Sequence, residues 1–260
     1  MIGRLLDWLR GKPEAEPIPD SLWEPVVAAL PFLAALDGNE QARLRALAGT
    51  FLAEKEFAAT GGLELSDEIC VAIAAQGCLP ILNLGLDCYR NWVGIIVYAD
   101  EFVIPRSIED ESGVVHEYQE VASGEAWDGG PLLISWRDAQ MAGEGYNVVI
   151  HEFAHKLDML NGDADGIPPL PAGAPRKAWE DALHAAYEHF CASVDMAEAT
   201  DQETLFDPYA AENPGEFFAV MSEAFFEEPD LLLAEYPDFY AQLSAFYRQD
   251  PARRIQLADG

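Results

Sequence analysis

Between residues 26 and 92 apolar positions recur at helical spacing. Leu44, Leu47, Phe51 and Leu52 stand at i, i+3, i+7 and i+8, the stripe that one face of a helix presents. Asp37-Gly38-Asn39 ahead of them offers a cap, so the pattern predicts a helix running toward Phe57. Ser66-Asp67-Glu68 opens another through Ile69, Ala72, Ile73 and Gln76, and Leu79-Pro80 ends it. The period then changes. Residues 92–98 (WVGIIVY) and 102–104 (FVI) are β-branched and aromatic, with Ala99-Asp100-Glu101 between them, which predicts a hairpin. Residues 114–121 and 132–136 continue the strand character around a turn at Asp128-Gly129-Gly130. Helical spacing returns at about 146–160, 176–196, 213–227 and 235–247.

The fold class read from this order is α+β. A sheet at 93–136 lies between a helical part at 26–92 and a second at 137–250. Four prolines in 11–25 mark residues 1–25 as an arm and linker. Residues 26–250 read as one integrated domain and 251–260 as a tail. No internal repeat or low-complexity tract interrupts the chain.

Composition narrows the function classes. Half of the 260 residues are hydrophobic, enough apolar surface to form a core despite a formal charge of -31. That charge disfavours direct binding to nucleic acid or to an anionic membrane, which it would repel. It is uneven: residues 138–247 hold 22 acids against Lys156, Arg176 and Lys177. Cys70, Cys78, Cys88 and Cys191 form no C-x-x-C pair and sit in apolar segments, so they read as buried reduced thiols. Residues 1–10 (MIGRLLDWLR) lack an unbroken apolar run of about 7–15 residues and read as a short amphipathic helix, not a secretory signal. No stretch approaches the ~18 apolar residues of a membrane span. The expected location is the cytoplasm.

One segment carries chemistry. VVIHEFAHKL at 148–157 contains H-E-x-x-H. On a helix His151 and His155 share one face a turn apart, so two imidazoles can converge on one Zn²⁺. Glu152 points away from that line but near enough to take a proton from a water whose pKa zinc lowers to about 7. The alternative is a buried helix keeping two hydrogen-bonded core histidines. His116, His184 and His189 are assigned no role.

A catalytic zinc needs a third protein ligand. Asp158 and Asn161 occupy the Gly and His places of the extended metzincin pattern, so that ligand must come from elsewhere. In YAAENPGEFFAVMSE at 209–223, Asn213 reads as an N-cap and Pro214 as N1, which puts Glu216 at N3. Glu216 is then either a capping-box glutamate or a ligand. Glu223, seven residues on and on the same face, is either a second ligand candidate or a hydrogen-bond partner behind a histidine. Glu212 and Asp158 are further alternatives, and Asp158 reads more simply as a residue that caps or orients the end of the active helix.

NVVIHEFAHKLDMLNG and DPYAAENPGEFFAVMSEAFF, with LPFLAAL, GGLEL, CLPILNLGLDCYRNWVGIIVY and SGEAWDGGP upstream and FYRQDP at the end, resemble the Mlc titration factor A family of bacterial zinc metallopeptidases. The resemblance covers nearly all of the chain beyond the arm. It implies a mainly helical, zincin-like (gluzincin-type) domain with a small mixed β-sheet. It implies one Zn²⁺ per chain on His151, His155 and Glu216, with Glu152 as base and Tyr209 as a hydroxyl that stabilises the oxyanion. Glu223 and Asp158 remain candidates for the shell behind the ligands. The implied activity is aminopeptidase-like hydrolysis of small peptides, and the implied partner is the DNA-binding repressor Mlc, or another basic regulator. A binding protein that sequesters a regulator without catalysis is the alternative. Residues 93–98 or their hairpin partner read either as an edge that receives a peptide or as a central strand. An acidic cleft would favour a free α-amino group.

Overall fold

The computed structural model describes residues 17–109, 115–143 and 145–258. The expected helix at 1–10 lies outside them, as do residues 11–16 of the linker. Of the linker residues described, 17–19 precede the first helix. From Asp20 the chain is helical (α1, Asp20–Ala29), with Pro25 inside the helix and Trp23 and Val26 buried. Composition alone hid this, because Pro25 is the sixth residue of the helix, past the first turn where a proline's missing N–H is not needed.

After a short helix α2 (Pro31–Ala34), Asp37 caps α3 (Gly38–Glu54). Its carboxylate accepts from the amides of Asn39 and Glu40 at 2.8 Å each, and the Glu40 side chain returns to the Asp37 amide at 3.2 Å. The helix stops short of Phe57, which belongs to strand β1 (Glu56–Ala59) inside the region expected to be helical throughout. Four residues are too few to reveal their period. Helix α4 (Asp67–Cys78) starts at Ser66 as its cap predicts.

The sheet corrects the expected hairpin. Strand β2 (Gly94–Tyr98) does not pair with β3 (Phe102–Glu109). It runs parallel between β1 and β6 (Leu132–Ser135), and β5 (Gly124–Ala126) pairs antiparallel with β6 to complete the order β1-β2-β6-β5. The hairpin is β3 with β4 (Val115–Ala122). The unbroken apolar run of β2, with Ile95 and Val97 fully buried, is what a parallel interior strand requires. The short link at 99–101 redirects the chain into a separate ribbon. Strands β1 and β5 form the two edges, and β5 is the one next to the helix that carries H-E-x-x-H. The observed class is α+β with a small mixed sheet.

Helix α5 (Trp136–Ala139) leads to α6 (Val148–Asp158), all of whose residues are buried. Phe153 anchors α6, its ring 5.7 Å from that of Phe51, 5.1 Å from Tyr89 and 5.8 Å from Trp92. Gly77 leaves room for that ring, since a Cβ there would stand 2.4 Å from it.

The rest is helical: α7 (Arg176–Thr200), α8 (Pro214–Glu227), α9 (Pro229–Glu235), α10 (Pro237–Tyr247) and α11 (Pro251–Ala258). Helix α11 corrects the expected tail: Ala252 is buried and Arg254 pairs with Glu40 at 2.8 Å. All four cysteines are free thiols; Cys78 is buried and the other three half-buried. No helix among the described residues is long and apolar enough to cross a membrane.

Candidate metal centre

Two capped helices bring the site together. Asn147 caps α6 by accepting from the Ile150 amide at 2.9 Å, which fixes where the first turn begins. Four residues apart on this helix, His151 and His155 hold their Nε2 atoms 3.2 Å from each other. Asn213 caps α8 by accepting from the amides of Gly215 and Glu216 at 2.9 and 3.0 Å. Glu216 is thus at N3, but its carboxylate faces the imidazoles: Oε2 lies 3.0 Å from His151 Nε2 and 3.1 Å from His155 Nε2. The cap positions Glu216, and its side chain goes to the site.

Glu223 stands behind His151, with Oε1 2.7 Å from Nδ1. Its other oxygen accepts from the Asn147 amide. Asn147 in turn donates through Nδ2 to Gln76 Oε1 at 2.9 Å and to Glu227 Oε1 at 2.8 Å. Glu227 also accepts from the amides of Gly143 and Gly145 at 2.8 and 3.1 Å. A chain of contacts thus runs from Glu227 through Asn147 and Glu223 to His151. Sequence reasoning missed Gln76, Asn147 and Glu227; only the capping position of Asn147, ahead of an apolar helix, could have signalled one of them.

The donor set tests whether a metal fits. With Glu223 accepting from Nδ1–H, His151 presents a lone pair at Nε2. That lone pair, His155 Nε2 and the Glu216 carboxylate all face one point, their atoms within 4.8 Å of one another. Burial disfavours the His151 cation, yet Glu216 and Glu223 together push its pKa well above the ordinary value. Burial likewise raises the Glu216 carboxyl, but its contacts with the two imidazoles outweigh it and hold the group well below the usual range. The cluster demands positive charge at its centre. A divalent cation satisfies all three groups at once, and two imidazoles with one carboxylate suit a borderline transition metal better than Ca²⁺ or Mg²⁺.

Glu152 is buried beside this cluster. Burial raises its carboxyl to about 7, moderated by the two imidazoles. No described group hydrogen-bonds its Oε2. Strand β5 comes so close that a Cβ on Gly124 would lie 2.3 Å from Glu152 Oε1. Tyr209 follows Asp207, whose carboxylate accepts from the Tyr209 amide at 2.9 Å and caps the short 3-10 turn Pro208–Ala211. Its ring centroid is 6.2 Å from that of His151. Partial burial and the nearby Glu216 push its phenol up, so it remains a proton donor at neutral pH. Asp158 faces elsewhere: Oδ2 accepts from the Gly166 amide at 2.7 Å and holds the loop after α6. Glu212 is exposed.

The two imidazoles, Glu152, Tyr209, Glu216 and Glu223 line a cavity of about 490 Å³ that runs from β5 to Asp207 and has no lysine or arginine in its wall. Two imidazoles, a carboxylate from a second helix and a buried glutamate beside an edge strand are what a metallopeptidase-type protein needs. Comparison with known proteins agrees. The family model for glucose-regulated metallo-peptidase M90 matches residues 5–248, and the chain belongs to that family. It is similar to Mlc titration factor A of Serratia proteamaculans (40% identical over 252 residues, 96% of this chain and 94% of the relative). A second relative is Mlc titration factor A of Salmonella arizonae, 41% identical over 240 residues, 91% of this chain and 94% of the relative.

Proposed function

We propose that the protein is a zinc-dependent, aminopeptidase-like peptidase on a zincin-like, gluzincin-type scaffold. One Zn²⁺ per chain would be held by His151, His155 and Glu216. When bound, it would supply Lewis-acid polarisation of the scissile carbonyl and acidify a water. The convergence of three ligand atoms beside a buried, unpartnered glutamate carries this reading.

The chain's own groups divide the remaining work. Glu152 takes the proton from the attacking water and passes it to the leaving amine, a task suited to a carboxyl raised toward neutrality. Tyr209 donates its hydroxyl to the developing oxyanion. Glu223 keeps the His151 ring in one tautomer, and Asp158 acts only on the loop at Gly166. Strand β5 is the edge that takes the peptide by strand addition; β2, as an interior strand, is not available for it. A wall that carries five glutamates and Asp207 but no lysine or arginine favours a free α-amino group, so acetylating the substrate's amino terminus should slow cleavage. Equal rates for the acetylated and free peptides would remove the aminopeptidase part of the proposal.

A second reading comes from the relatives' name, Mlc titration factor A. It supports binding of an Mlc-type repressor, or another basic regulator, in the cytoplasm, with sequestration as the physiological role. One variant separates the two. Glu152→Gln should retain stoichiometric zinc and lose hydrolysis by about 10²–10⁴-fold. If the cellular effect on the regulator's target genes survives in that variant, sequestration is the role; if it vanishes, proteolysis is. Purified protein that takes up no zinc would sink the catalytic reading.

A further inference from the structure

A second groove, of about 720 Å³, adjoins the catalytic cleft, and Asp207 and Val220 line both. It lies between the end of α7, the returning segment 201–207 and α8. Asp201 ends α7 in the left-handed conformation, φ 53°, which aspartate tolerates better than most residues. That turn brings the segment back alongside α8. The floor is apolar: Ala197, Phe206, Val220 and Ala224 are all buried there. The rim carries five carboxylates, on Glu198, Asp201, Glu203, Asp207 and Glu228, and no lysine, arginine or histidine lines the groove.

An apolar floor alone would fit any hydrophobic group, and an acidic rim alone would gather counter-ions. The two together match one side-chain chemistry, a long aliphatic stem that ends in a cation. Continuity with the cleft says how such a group arrives. A peptide lying across the site toward Asp207 would continue into this groove. We propose that the groove is a distal subsite that takes a lysine or arginine side chain of the peptide substrate, some residues away from the scissile bond. The proposal rests on the peptidase reading for its link to the cleft, though not for the groove's own chemistry. It gives part of the acidic excess of this half of the chain a ligand other than the α-amino group.

The test measures binding apart from turnover. A series of hexapeptides, each with lysine at a different position and paired with a norleucine version, is titrated against zinc-loaded Glu152→Gln protein by calorimetry. At one position lysine should bind about ten-fold more tightly than norleucine, a factor worth about 1.4 kcal/mol, and the gain should shrink as salt is raised. The preference should disappear in protein that also carries Glu198→Gln and Glu203→Gln. It should persist when the same charge is removed at the exposed Glu24 and Glu101. Lysine and norleucine binding equally at every position would overturn the proposal, as would a preference unchanged by the groove substitutions. A dipeptide substrate too short to reach the groove should be cleaved equally well with and without Glu198→Gln and Glu203→Gln. If wild-type protein cleaves no such substrate while the lysine preference stands, the peptidase reading falls and the cationic subsite remains.

Discussion

Glu223 Oε1 sits 2.7 Å from His151 Nδ1 while the other Glu223 oxygen accepts from the Asn147 amide. One carboxylate thus meets two donors, a ring N–H on the motif helix and the backbone N–H of that helix's own cap. Both contacts need an acceptor. The ring is thereby fixed with its Nε2 lone pair toward Glu216 and His155.

Glu223→Gln should break this arrangement without changing size. A glutamine has one acceptor oxygen and one NH₂, so one of the two donors must face another donor. Metal affinity should fall about 10–100-fold, the usual cost of disturbing a residue behind a ligand. Competition with a chromogenic chelator measures it. Unchanged zinc affinity would mean that the contact does not tune the ligand.

Gly124→Ala addresses the base and not the metal. The added methyl would stand 2.3 Å from Glu152 Oε1, so the carboxylate must move. A displacement of about 1 Å at a reacting group can cost about 10²-fold in rate. The variant should keep full zinc content, measured by elemental analysis, while its kcat drops by that order. A kcat equal to wild type would show that Glu152 has room to spare.

How much of this could be read beforehand depends on range along the chain. His151, Glu152 and His155 lie within one helical turn, so the spacing alone brings them together. Asn213 and Pro214 predict where α8 begins, and hence which turn carries Glu216. Nothing local says that α8 packs its N-terminus over His151, so Glu216 and Glu223 stayed alternatives until tertiary packing gave them different partners. The strands show the same limit. Residues 93–98 announce a strand by composition, but its neighbours β1 and β6 are distant in sequence, whereas the nearest apolar run belongs to a separate ribbon. Gly124 reads as an ordinary strand glycine until Glu152 is seen against it.

Lys156 is buried next to His155 and fastens the turn between β5 and β6. Its Nζ donates to the carbonyls of Trp127, Gly130 and Pro131, and it lies 5.0 Å from the Trp92 ring centroid. Lys55 approaches the same ring at 3.9 Å. Lys156→Met keeps the aliphatic stem but leaves those carbonyls without this donor. A loss of about 1–3 kcal/mol is expected, read by denaturant unfolding. For a chain of this size each kcal/mol should also lower Tm by about 2–4 °C. Because the turn leads directly out of β5, KM for an extended peptide should rise more than kcat falls.

Glu227 makes stability depend on pH. Burial raises its carboxyl from 4.5 to about 7, although Asn147 and the amides of Gly143 and Gly145 pull the other way, and Glu223 adds to the rise. A carboxyl whose folded pKa is raised binds its proton more tightly in the folded state. Its contribution is therefore fully present below about 4.5 and is lost as pH climbs through about 7. Glu227→Gln stays neutral across that window. The unfolding free energy of wild type minus that of the variant should thus fall between pH 5 and pH 8, by an amount on the order of 1–3 kcal/mol. Subtracting the variant cancels the other groups that titrate in the same range, including the ligands. Denaturant titrations of both proteins at a series of pH values supply the comparison. Parallel curves would mean that Glu227 is ionised in the folded state throughout, with its three donors outweighing burial.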